Sequence, residues 1–293
     1  MFKPRTVVPP VFNPRNQESS AWPWGKQSKT KRQGGPNLSI IMPSYQQGQF
    51  IEESIRSVLC SPYPNLELII MDGGSSDETV EILEHYSSAL KFWHSGPDQG
   101  QSHALSLAYE HADGELIGWL NSDDLYFPDT FYSATESLKN GYDCSYGDRV
   151  LIDARSKMIG WSRMGSFNPK KYSFNIASES FFWKKNPGDG ITFDPSLEFA
   201  MDVDFICRMV NQKRLHYSRV FRGCFRCHED AKSSQIRHIG LEEENNIYQS
   251  LYGHSTPNQK SPHPLGTFGQ YFDLIVHPML LGAPFLKHKL NKK

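Results

Sequence analysis

The feature that most constrains the fold is a regular alternation of short apolar runs and helical segments, which begins at residue 37. Five apolar runs predict β-strands, at 38–42, 66–71, 91–94, 115–120 and 143–153. Segments with helical periodicity lie between them, at 49–60, 77–86, 102–111 and 129–139. Such alternation is typical of a sheet covered by helices on both faces. We therefore predict an α/β fold with a mainly parallel, mixed sheet.

One helix start has a recognisable local signal. Ser75 and Glu78 stand three residues apart just before the second helical segment. This spacing predicts a capping box, in which each side chain bonds the backbone N–H of the other residue. The helix is then expected to begin at Asp77.

Polar and acidic residues follow each of the first four apolar runs. They form the stretches Pro43-Ser44-Tyr45, Asp72-Gly73-Gly74, Pro97-Asp98-Gln99-Gly100 and Ser122-Asp123-Asp124. Ligands of parallel α/β sheets bind at the carboxyl ends of the strands. Four such stretches on one edge predict a ligand site there.

The chemistry of these stretches favours a metal-bound phosphate. The glycine pattern of dinucleotide-binding folds does not follow the first strand, and no P-loop pattern occurs in the sequence. An acidic site can hold phosphate through Mg²⁺ or Mn²⁺, which needs one or two carboxylates. Asp123 and Asp124 therefore predict a site for a metal–diphosphate. The alternative that stays open is an exposed loop capping the helix that starts near Pro128.

Composition excludes some classes of function and location. The chain has 31 Lys and Arg against 32 Asp and Glu, so the basic excess of a nucleic-acid binder is missing. Five scattered cysteines, without a signal peptide, favour a reducing cytosol. The apolar segment 274–286 is shorter than the roughly 18 residues of a membrane span. It is expected to pack as a helix or to lie on the inner membrane surface, with lysines following it.

We predict three regions along the chain. Residues 1–36 are rich in proline and polar residues and are expected to form a flexible arm. Residues 37–235 form the α/β domain, and residues 236–293 form a helical extension.

The four polar stretches, in this order and spacing, resemble family 2 glycosyltransferases. The resemblance covers roughly residues 37–235 and includes Ile41-Met42-Pro43-Ser44-Tyr45, Asp72-Gly73-Gly74-Ser75-Ser76-Asp77-Glu78-Thr79, Asp98-Gln99-Gly100-Gln101-Ser102 and Trp119-Leu120-Asn121-Ser122-Asp123-Asp124. It implies a GT-A fold, a Rossmann-like sheet that binds nucleotide sugars. It also implies an inverting transfer from a nucleoside-diphosphate sugar to a hydroxyl of a saccharide or lipid-linked saccharide.

The resemblance assigns roles by position. Asp124 ligates a divalent metal, Mn²⁺ or Mg²⁺. Nucleotide or donor contacts fall to Pro43, Ser44, Tyr45, Asp72, Asp98, Ser102 and Asp123. Where relatives commonly read Gln-Ser-Asp-Ala-x-Asn-Lys-Gly, the stretch 101–108 reads Gln-Ser-His-Ala-Leu-Ser-Leu-Ala. This departure leaves open a non-catalytic nucleotide-sugar binder of the same fold.

The later part of the chain supplies the expected acceptor side and catalytic base. Residues 176–183 resemble the acceptor-lining segment, which implies contacts from Glu179 and Trp183. Asp202 matches the position of the family's general base. Residues two apart on a helix point about 200° apart, and Arg208 stands at the ion-pair spacing from Asp204. Asp204 is therefore expected to be structural.

The stretch Cys224-Phe225-Arg226-Cys227-His228 has the spacing of a c-type haem attachment site. The resemblance instead implies a donor-phosphate loop that carries His228 and Lys232. A structural role, and binding of haem or a metal, remain alternatives. A different activity of the same fold, nucleotidyl transfer, normally has a basic glycine-rich loop after the first strand. Residues 46–49 contain no Lys or Arg.

Overall fold

A computed structural model of the protein describes residues 8–12, 22–24, 35–171, 174–186, 188, 190, 192–229, 231–232 and 237–257. The apolar segment 274–286 lies outside the described residues. Within them, no helix is both long and apolar enough to cross a membrane.

The elements follow the predicted alternation closely through residue 153. The strands are β1 (Leu38–Ser44), β2 (Leu66–Asp72), β3 (Phe92–Ser95), β4 (Leu116–Trp119), β5 (Leu125–Tyr126), β6 (Cys144–Asp153), β7 (Met158–Ser162), β8 (Phe182–Lys184) and β9 (Leu215–Cys227). The helices are α1 (Ile51–Leu59), α2 (Thr79–Tyr86), α3 (Gln101–Glu110), α4 (Thr130–Lys139), α5 (Met201–Gln212) and α6 (Arg237–Tyr252), with 3₁₀ turns at Ser87–Ala89 and Ser178–Ser180.

All these strands belong to one mixed sheet. Its order is β3-β2-β1-β4-β8-β6-β9-β5, and β7 pairs with β6 outside this path. The first four strands are parallel, whereas β8 runs antiparallel to both β4 and β6. The carboxyl ends of β1, β2 and β4 therefore meet at one edge, and the second half of the sheet extends beside them.

Helices cover both faces of the sheet. One face packs against α1, α2 and α4 through residues such as Ile55, Leu83 and Phe131. The other packs against α3 and α5 through Leu105 and Phe205. These side chains are buried, and burial of apolar area on both faces is the main force that holds the layers together.

Two pieces of the predicted flexible arm pack on the first face. Val8 and Phe12 contact the core between α1 and α2. The indole Nε1–H of Trp22 donates to the carbonyl of Tyr126 at 3.0 Å, and the guanidinium of Arg56 lies 5.6 Å from the ring centroid of Trp24. These pieces are part of the packed structure, while the three predicted region boundaries stay predictions.

The predicted capping box is wrong. Helix α2 begins at Thr79 without a side-chain cap from Ser75. The Ser75 hydroxyl instead donates to Asp72 Oδ1 at 2.6 Å. Asp77 Oδ1 accepts the N–H of Thr79 at 3.1 Å and takes over at the helix start. The Ser75 hydroxyl therefore binds the buried carboxylate of Asp72 and does not cap the helix.

Candidate active site

A cavity of about 1000 Å³ opens at the carboxyl edge of the parallel strands. One end is formed by the residues that follow β1, β2 and β3, and the middle by the turn after β4. The far end is formed by β6, β7, the segment 174–179 and the start of α5. This volume is at the upper end of ordinary small-molecule sites, so the cavity has room for a ligand with several parts.

The first end of the cavity combines an aromatic ring, a glycine and a carboxylate. Tyr45 is largely exposed. A side chain at Gly73 would place its first carbon 3.2 Å from Asp98 Oδ2 and 3.3 Å from the Tyr45 ring. Asp98 Oδ1 accepts the N–H of Gly100 at 2.8 Å, which fixes the carboxylate. Glycine at position 73 keeps the space between Tyr45 and Asp98 open.

Asp72 and Ser102 support this end from behind the cavity wall. Asp72 is buried. Its Oδ2 accepts from the backbone N–H of Ser75 at 2.8 Å and from the hydroxyl of Ser95 at 2.6 Å. Ser102 is also buried, in the first turn of α3. Both residues were predicted to contact the donor, but neither lines the cavity.

The two adjacent carboxylates after β4 have different environments. Asp123 lines the cavity. Asp124 is buried beneath it: its Oδ1 accepts the backbone N–H of Arg226 at 2.9 Å, and its Oδ2 accepts from Asn121 Nδ2 at 3.4 Å. Burial, followed by the charges of Asp123 and Glu179, raises the pKa of Asp124 well above its ordinary value. Asp124 thus ties the turn to β9, and Asp123 is the carboxylate that faces the cavity.

Arg226 holds this turn in place from below. Its Nε–H donates to the carbonyl of Asp123 at 2.6 Å, and its NH2 group contacts Glu53 Oε2 at 2.7 Å. The guanidinium also lies 4.8 Å from the centroid of the Phe50 ring. Arg226 is buried, so it connects α1, the turn after β4 and β9 and does not reach the cavity.

His228 also supports Asp123 and does not lie in an open phosphate loop. Its Nε2 is 3.1 Å from Asp123 Oδ2, and its ring packs on Phe50 with centroids 4.7 Å apart. The side chain is buried and does not line the cavity, whereas Lys232 does. Of the two residues expected in a donor-phosphate loop, Lys232 lines the cavity and His228 contacts Asp123.

The cysteines of the haem-like stretch lie on different sides of β9, as residues three apart on a strand must. Cys224 is buried and Cys227 is half-buried at the end of the strand, and both are free thiols. Burial raises the pKa of the Cys224 thiol well above its ordinary value. The side chains of this stretch therefore do not converge on one point.

Glu179 is a buried carboxyl group in the wall of the cavity. It is 1% exposed, and its Oε1 has no hydrogen-bond partner within the described part of the chain. Burial raises its pKa, although the Arg149 guanidinium, whose NH1 is 3.7 Å from Oε1, opposes the rise. Gly223 allows Glu179 to pack closely against β9, because a side chain at position 223 would place its first carbon 2.5 Å from the Glu179 backbone oxygen.

Asp202 lines the cavity at the start of α5. Burial raises its pKa to about 6, while the backbone N–H of Val203, 2.8 Å from Oδ1, lowers it. Asp204, two residues later, is bound to Arg208, whose Nε–H donates to Oδ2 at 2.9 Å. The predicted pair of Asp204 with Arg208 is therefore confirmed, and Asp202 is the acid that faces the cavity.

A residue of α6 fixes the loop that leads into α5. Glu243 accepts the N–H of Glu198 at 2.8 Å, of Phe199 at 2.9 Å and of Ala200 at 2.7 Å. The N-terminal N–H groups of a helix need such acceptors. Helix α6, from the predicted C-terminal extension, therefore takes part in positioning Asp202. No local pattern in the sequence indicates this contact, because it joins residues more than forty positions apart.

The structure brings together only part of the predicted site. The predicted residues that line the cavity are Pro43, Ser44, Tyr45, Asp98, Asp123, Glu179, Asp202 and Lys232. Trp183 does not reach it, since it is buried between Phe181 and Phe205 at centroid distances of 5.6 and 5.1 Å. Sequence reasoning missed Arg149, which lines the far end.

The cavity fits a metal ion only if the ligand supplies most of the coordinating atoms. Within the described ranges, no three His, Cys, Asp or Glu side chains converge in a way that could hold a metal ion alone. Mg²⁺ or Mn²⁺ bound with a diphosphate needs only one or two protein carboxylates. Asp123 offers one, while both oxygens of Asp124 already accept protein hydrogen bonds.

Comparison with known proteins places this architecture among glycosyltransferases. The family model described as "Glycosyl transferase family 2" matches residues 39–192. An uncharacterized glycosyltransferase of Rickettsia typhi is 34% identical over 234 residues, which is 74% of this chain and 70% of that protein. The Escherichia coli enzyme "UDP-Glc:alpha-D-GlcNAc-diphosphoundecaprenol beta-1,3-glucosyltransferase WfgD" is 34% identical over 141 residues, 47% of this chain and 53% of that one. In three further Rickettsia relatives the match spans 23%, 19% and 22% of the relative's own length.

The fold also matches a solved structure. The mannosyltransferase PcManGT of Pyrobaculum calidifontis, solved with GDP-Man and Mn²⁺, superposes with a TM-score of 0.59 at 16% identity, over 83% of this chain and 70% of that one. The predicted GT-A fold is thereby confirmed. Because the family model covers more than half of its residues, the chain belongs to glycosyl transferase family 2.

Proposed function

We propose that this glycosyltransferase moves a sugar from a nucleoside-diphosphate sugar to an acceptor hydroxyl, with inversion and with the help of a divalent metal ion. The observation that carries the proposal is one cavity lined by Asp123 in its middle and by Asp202 at its far end. The two carboxylates stand on separate elements, the turn after β4 and the start of α5. Leaving-group stabilisation and proton removal can therefore be done by different residues.

The nucleotide would occupy the end formed by Tyr45, Gly73 and Asp98. An exposed tyrosine ring suits the flat face of a base, and a carboxylate suits its N–H donors. Since Asp72 is fully engaged with the turn 73–75, we assign base recognition to Asp98 and to the space above Gly73. The base itself, and the sugar, are not specified by these contacts.

Asp123, with His228 behind it, would hold the metal that accompanies the diphosphate. When bound, Mn²⁺ or Mg²⁺ would stabilise the negative charge that grows on the departing diphosphate. We move this role from Asp124, the residue predicted from sequence, to Asp123, because Asp124 is buried and bound to Arg226 and Asn121. Lys232, also at the cavity, would add a positive charge near the leaving group.

Asp202 would remove the proton of the attacking hydroxyl. A carboxyl group with a pKa near 6 is ionised at neutral pH and is a stronger base than an ordinary aspartate. Direct attack by the acceptor needs no covalent intermediate, so the anomeric configuration would be inverted. The family resemblance carries this stereochemical part of the proposal.

The acceptor class follows from the relatives and stays a proposal. WfgD is named for a lipid-linked sugar acceptor, so assembly of a polysaccharide or glycan is the setting we propose. A cytoplasmic location, with contact to the inner membrane face through residues 274–293, is part of the same proposal.

Two experiments test this function. A screen of nucleotide sugars for slow donor hydrolysis with Mn²⁺ should identify one preferred donor. Titration of uridine and guanosine diphosphates with and without Mn²⁺ should show metal-dependent affinity in the wild type that Asp123→Asn removes. If only Asp124→Asn removes it, the metal role returns to Asp124. Metal-independent binding in all three proteins would contradict the metal part of the proposal.

A further inference from the structure

Arg149 is a charged residue of the cavity whose guanidinium makes no hydrogen bond to the described residues. It lies on β6 at the far end, and its side chain is 30% exposed. Within the described part of the chain, no acceptor lies in hydrogen-bonding range of its guanidinium, and its Nε–H is buried without a partner. A guanidinium has five N–H donors, so this group is built to receive an acceptor that the protein does not supply.

The side chain is nevertheless held in one place. Its guanidinium carbon lies 4.9 Å from the centroid of the Phe225 ring. Stacking of this kind orients the planar fork while it leaves the N–H edge free. Arg163 on the same wall differs, because its NH1 is 2.5 Å from Asp148 Oδ2. Arg163 is tied to the protein, whereas Arg149 lines the cavity without such a partner among the described residues.

Glu179 does not satisfy the hydrogen-bond donors of Arg149. The nearest distance, from NH1 to Oε1, is 3.7 Å, which is beyond a hydrogen bond. Burial also raises the pKa of Glu179, which weakens the negative charge opposite the guanidinium. Glu179 Oε1 is itself without a hydrogen-bond partner among the described residues. The two groups flank a space that a ligand can enter.

We propose that Arg149 forms an anion-binding subsite that takes a phosphate group of the acceptor substrate. This inference rests on the proposed function and names the acceptor class: a sugar carried on a phosphate or diphosphate. A planar guanidinium fork matches phosphate oxygens in a bidentate geometry. The position at the far end, on β6 and away from Tyr45 and Asp98, favours the acceptor over the donor as the source of the phosphate.

The neighbours of Arg149 fit a lipid-linked acceptor. Met164, Phe174, Ile176 and Phe225 line the same part of the cavity. An apolar wall beside a cationic group suits a molecule in which a phosphate joins a sugar to a hydrocarbon chain. The donor's own diphosphate is the other source of the same chemistry, and the experiment separates the two.

The test uses farnesyl diphosphate as a probe, with farnesol as its uncharged counterpart and uridine diphosphate with Mn²⁺ for the donor side. Binding is measured by calorimetry on the wild type, Arg149→Gln, Arg149→Lys and Arg155→Gln. Arg155 is an exposed arginine of the β6–β7 turn that does not line the cavity, so it is a matched control. Thermal melting of each variant shows whether it is folded.

We expect Arg149→Gln to weaken farnesyl diphosphate binding about 10- to 100-fold, the usual effect of losing hydrogen bonds to a charged group. The affinity of Arg149→Lys for farnesyl diphosphate should lie between those of the wild type and Arg149→Gln, because lysine keeps the charge but lacks the planar guanidinium fork. Arg155→Gln, farnesol binding and uridine diphosphate binding should not change. Equal binding of farnesyl diphosphate and farnesol by the wild type would overturn the proposal.

Two other outcomes are also informative. If Arg149→Gln weakens uridine diphosphate and leaves farnesyl diphosphate unchanged, Arg149 serves the donor, and the acceptor assignment is wrong. If Arg149→Gln changes only the melting temperature, the residue is structural, and the subsite does not exist. Loss of metal-dependent nucleotide binding in Asp123→Asn is measured separately, so failure of the proposed function can be told from failure of this subsite.

Discussion

The two halves of the sheet build their share of the cavity in different ways. In the first half, residues 38–124, most contributing side chains lie at the carboxyl ends of the parallel strands or in the turns that follow them, as with Tyr45 after β1. In the second half, the contributing residues depend on partners far away in sequence. Arg149 is stacked on Phe225, and the loop before Asp202 is held by Glu243. Local turns form the end proposed for the nucleotide, and long-range contacts form the end proposed for catalysis.

The contact that joins the two halves should have the largest effect when it is removed. Arg226→Met removes a buried guanidinium and leaves Glu53, whose side chain is 12% exposed, without its charged partner. We expect a loss of about 3 kcal/mol of unfolding free energy, the lower end of the range for breaking a buried ion pair. Denaturant unfolding measures this loss. The control, Arg155→Met, should stay within about 0.5 kcal/mol, as expected for an exposed position.

If Arg226→Met lowers the unfolding free energy by less than about 1 kcal/mol, the turn after β4 does not depend on Arg226 for its stability. The proposed difference between the two halves would then be wrong for this contact. We also expect metal-dependent nucleotide binding to weaken in this variant. The reason is that the carbonyl of Asp123 loses its 2.6 Å hydrogen bond from Arg226.

Glu243→Gln should have an intermediate effect. One amide oxygen cannot replace two carboxylate oxygens that accept three N–H groups. We expect a loss of about 1–2 kcal/mol of stability and a lower kcat, with nucleotide affinity unchanged, because Tyr45 and Asp98 lie at the other end. The exposed neighbour Glu242→Gln is the control and should behave like the wild type. An unchanged kcat in Glu243→Gln would show that α6 does not position Asp202.

The smallest effect is expected at a local contact. Asp204→Asn removes the ion pair with Arg208, which is partly exposed and of helical spacing. Such pairs contribute about 0.2–0.5 kcal/mol, so the melting temperature should fall only slightly and the rate should be nearly unchanged. A rate loss as large as that of an Asp202 variant would reverse our assignment of the two acids.

The same contrast explains what the sequence could and could not predict. Hydrophobic periodicity and the polar residues after each strand were enough to predict β1 to β4 and the cavity edge. Helical spacing was enough to predict the pair of Asp204 with Arg208. All of these features depend on neighbours in sequence. Asp123 and Asp124 look alike in the sequence. Only the distant strand β9 decides that Asp124 is buried. The capping box failed for a related reason, since Asp72 accepts the Ser75 hydroxyl.

Arg149 and His228 illustrate the two directions of error. Arg149 stands on a strand with no motif around it, so nothing in its sequence neighbourhood suggested a cavity residue. The resemblance places His228 in a donor-phosphate loop, but its ring packs on Phe50 of the first half. In both cases the deciding contact is one between distant segments, which no local pattern carries.

Ionisation of Asp202 should also make the stability of the fold depend on pH. Its pKa of about 6 in the folded protein lies above the ordinary value of 3.8. The folded state therefore binds more protons than the unfolded state between these values, and this group destabilises the fold progressively as pH rises from about 4 to 6. Asp202→Asn, which cannot ionise, should melt at the same or a higher temperature than the wild type at pH 8. A lower melting temperature would indicate a structural role.

The most direct test of the central claim is the pH dependence of kcat/KM and kcat for the wild type and Asp202→Asn, with the donor found in the screen and water or an acceptor as the second substrate. If Asp202 is the general base, kcat/KM of the wild type, which reports the free enzyme, rises through a pKa near 6 and then levels off. In Asp202→Asn, kcat should be about 10²–10⁴-fold lower and kcat/KM should lack this rise, while nucleotide affinity is retained. A variant that turns over within a few-fold of the wild type, with the same rise near pH 6, would show that another group removes the proton.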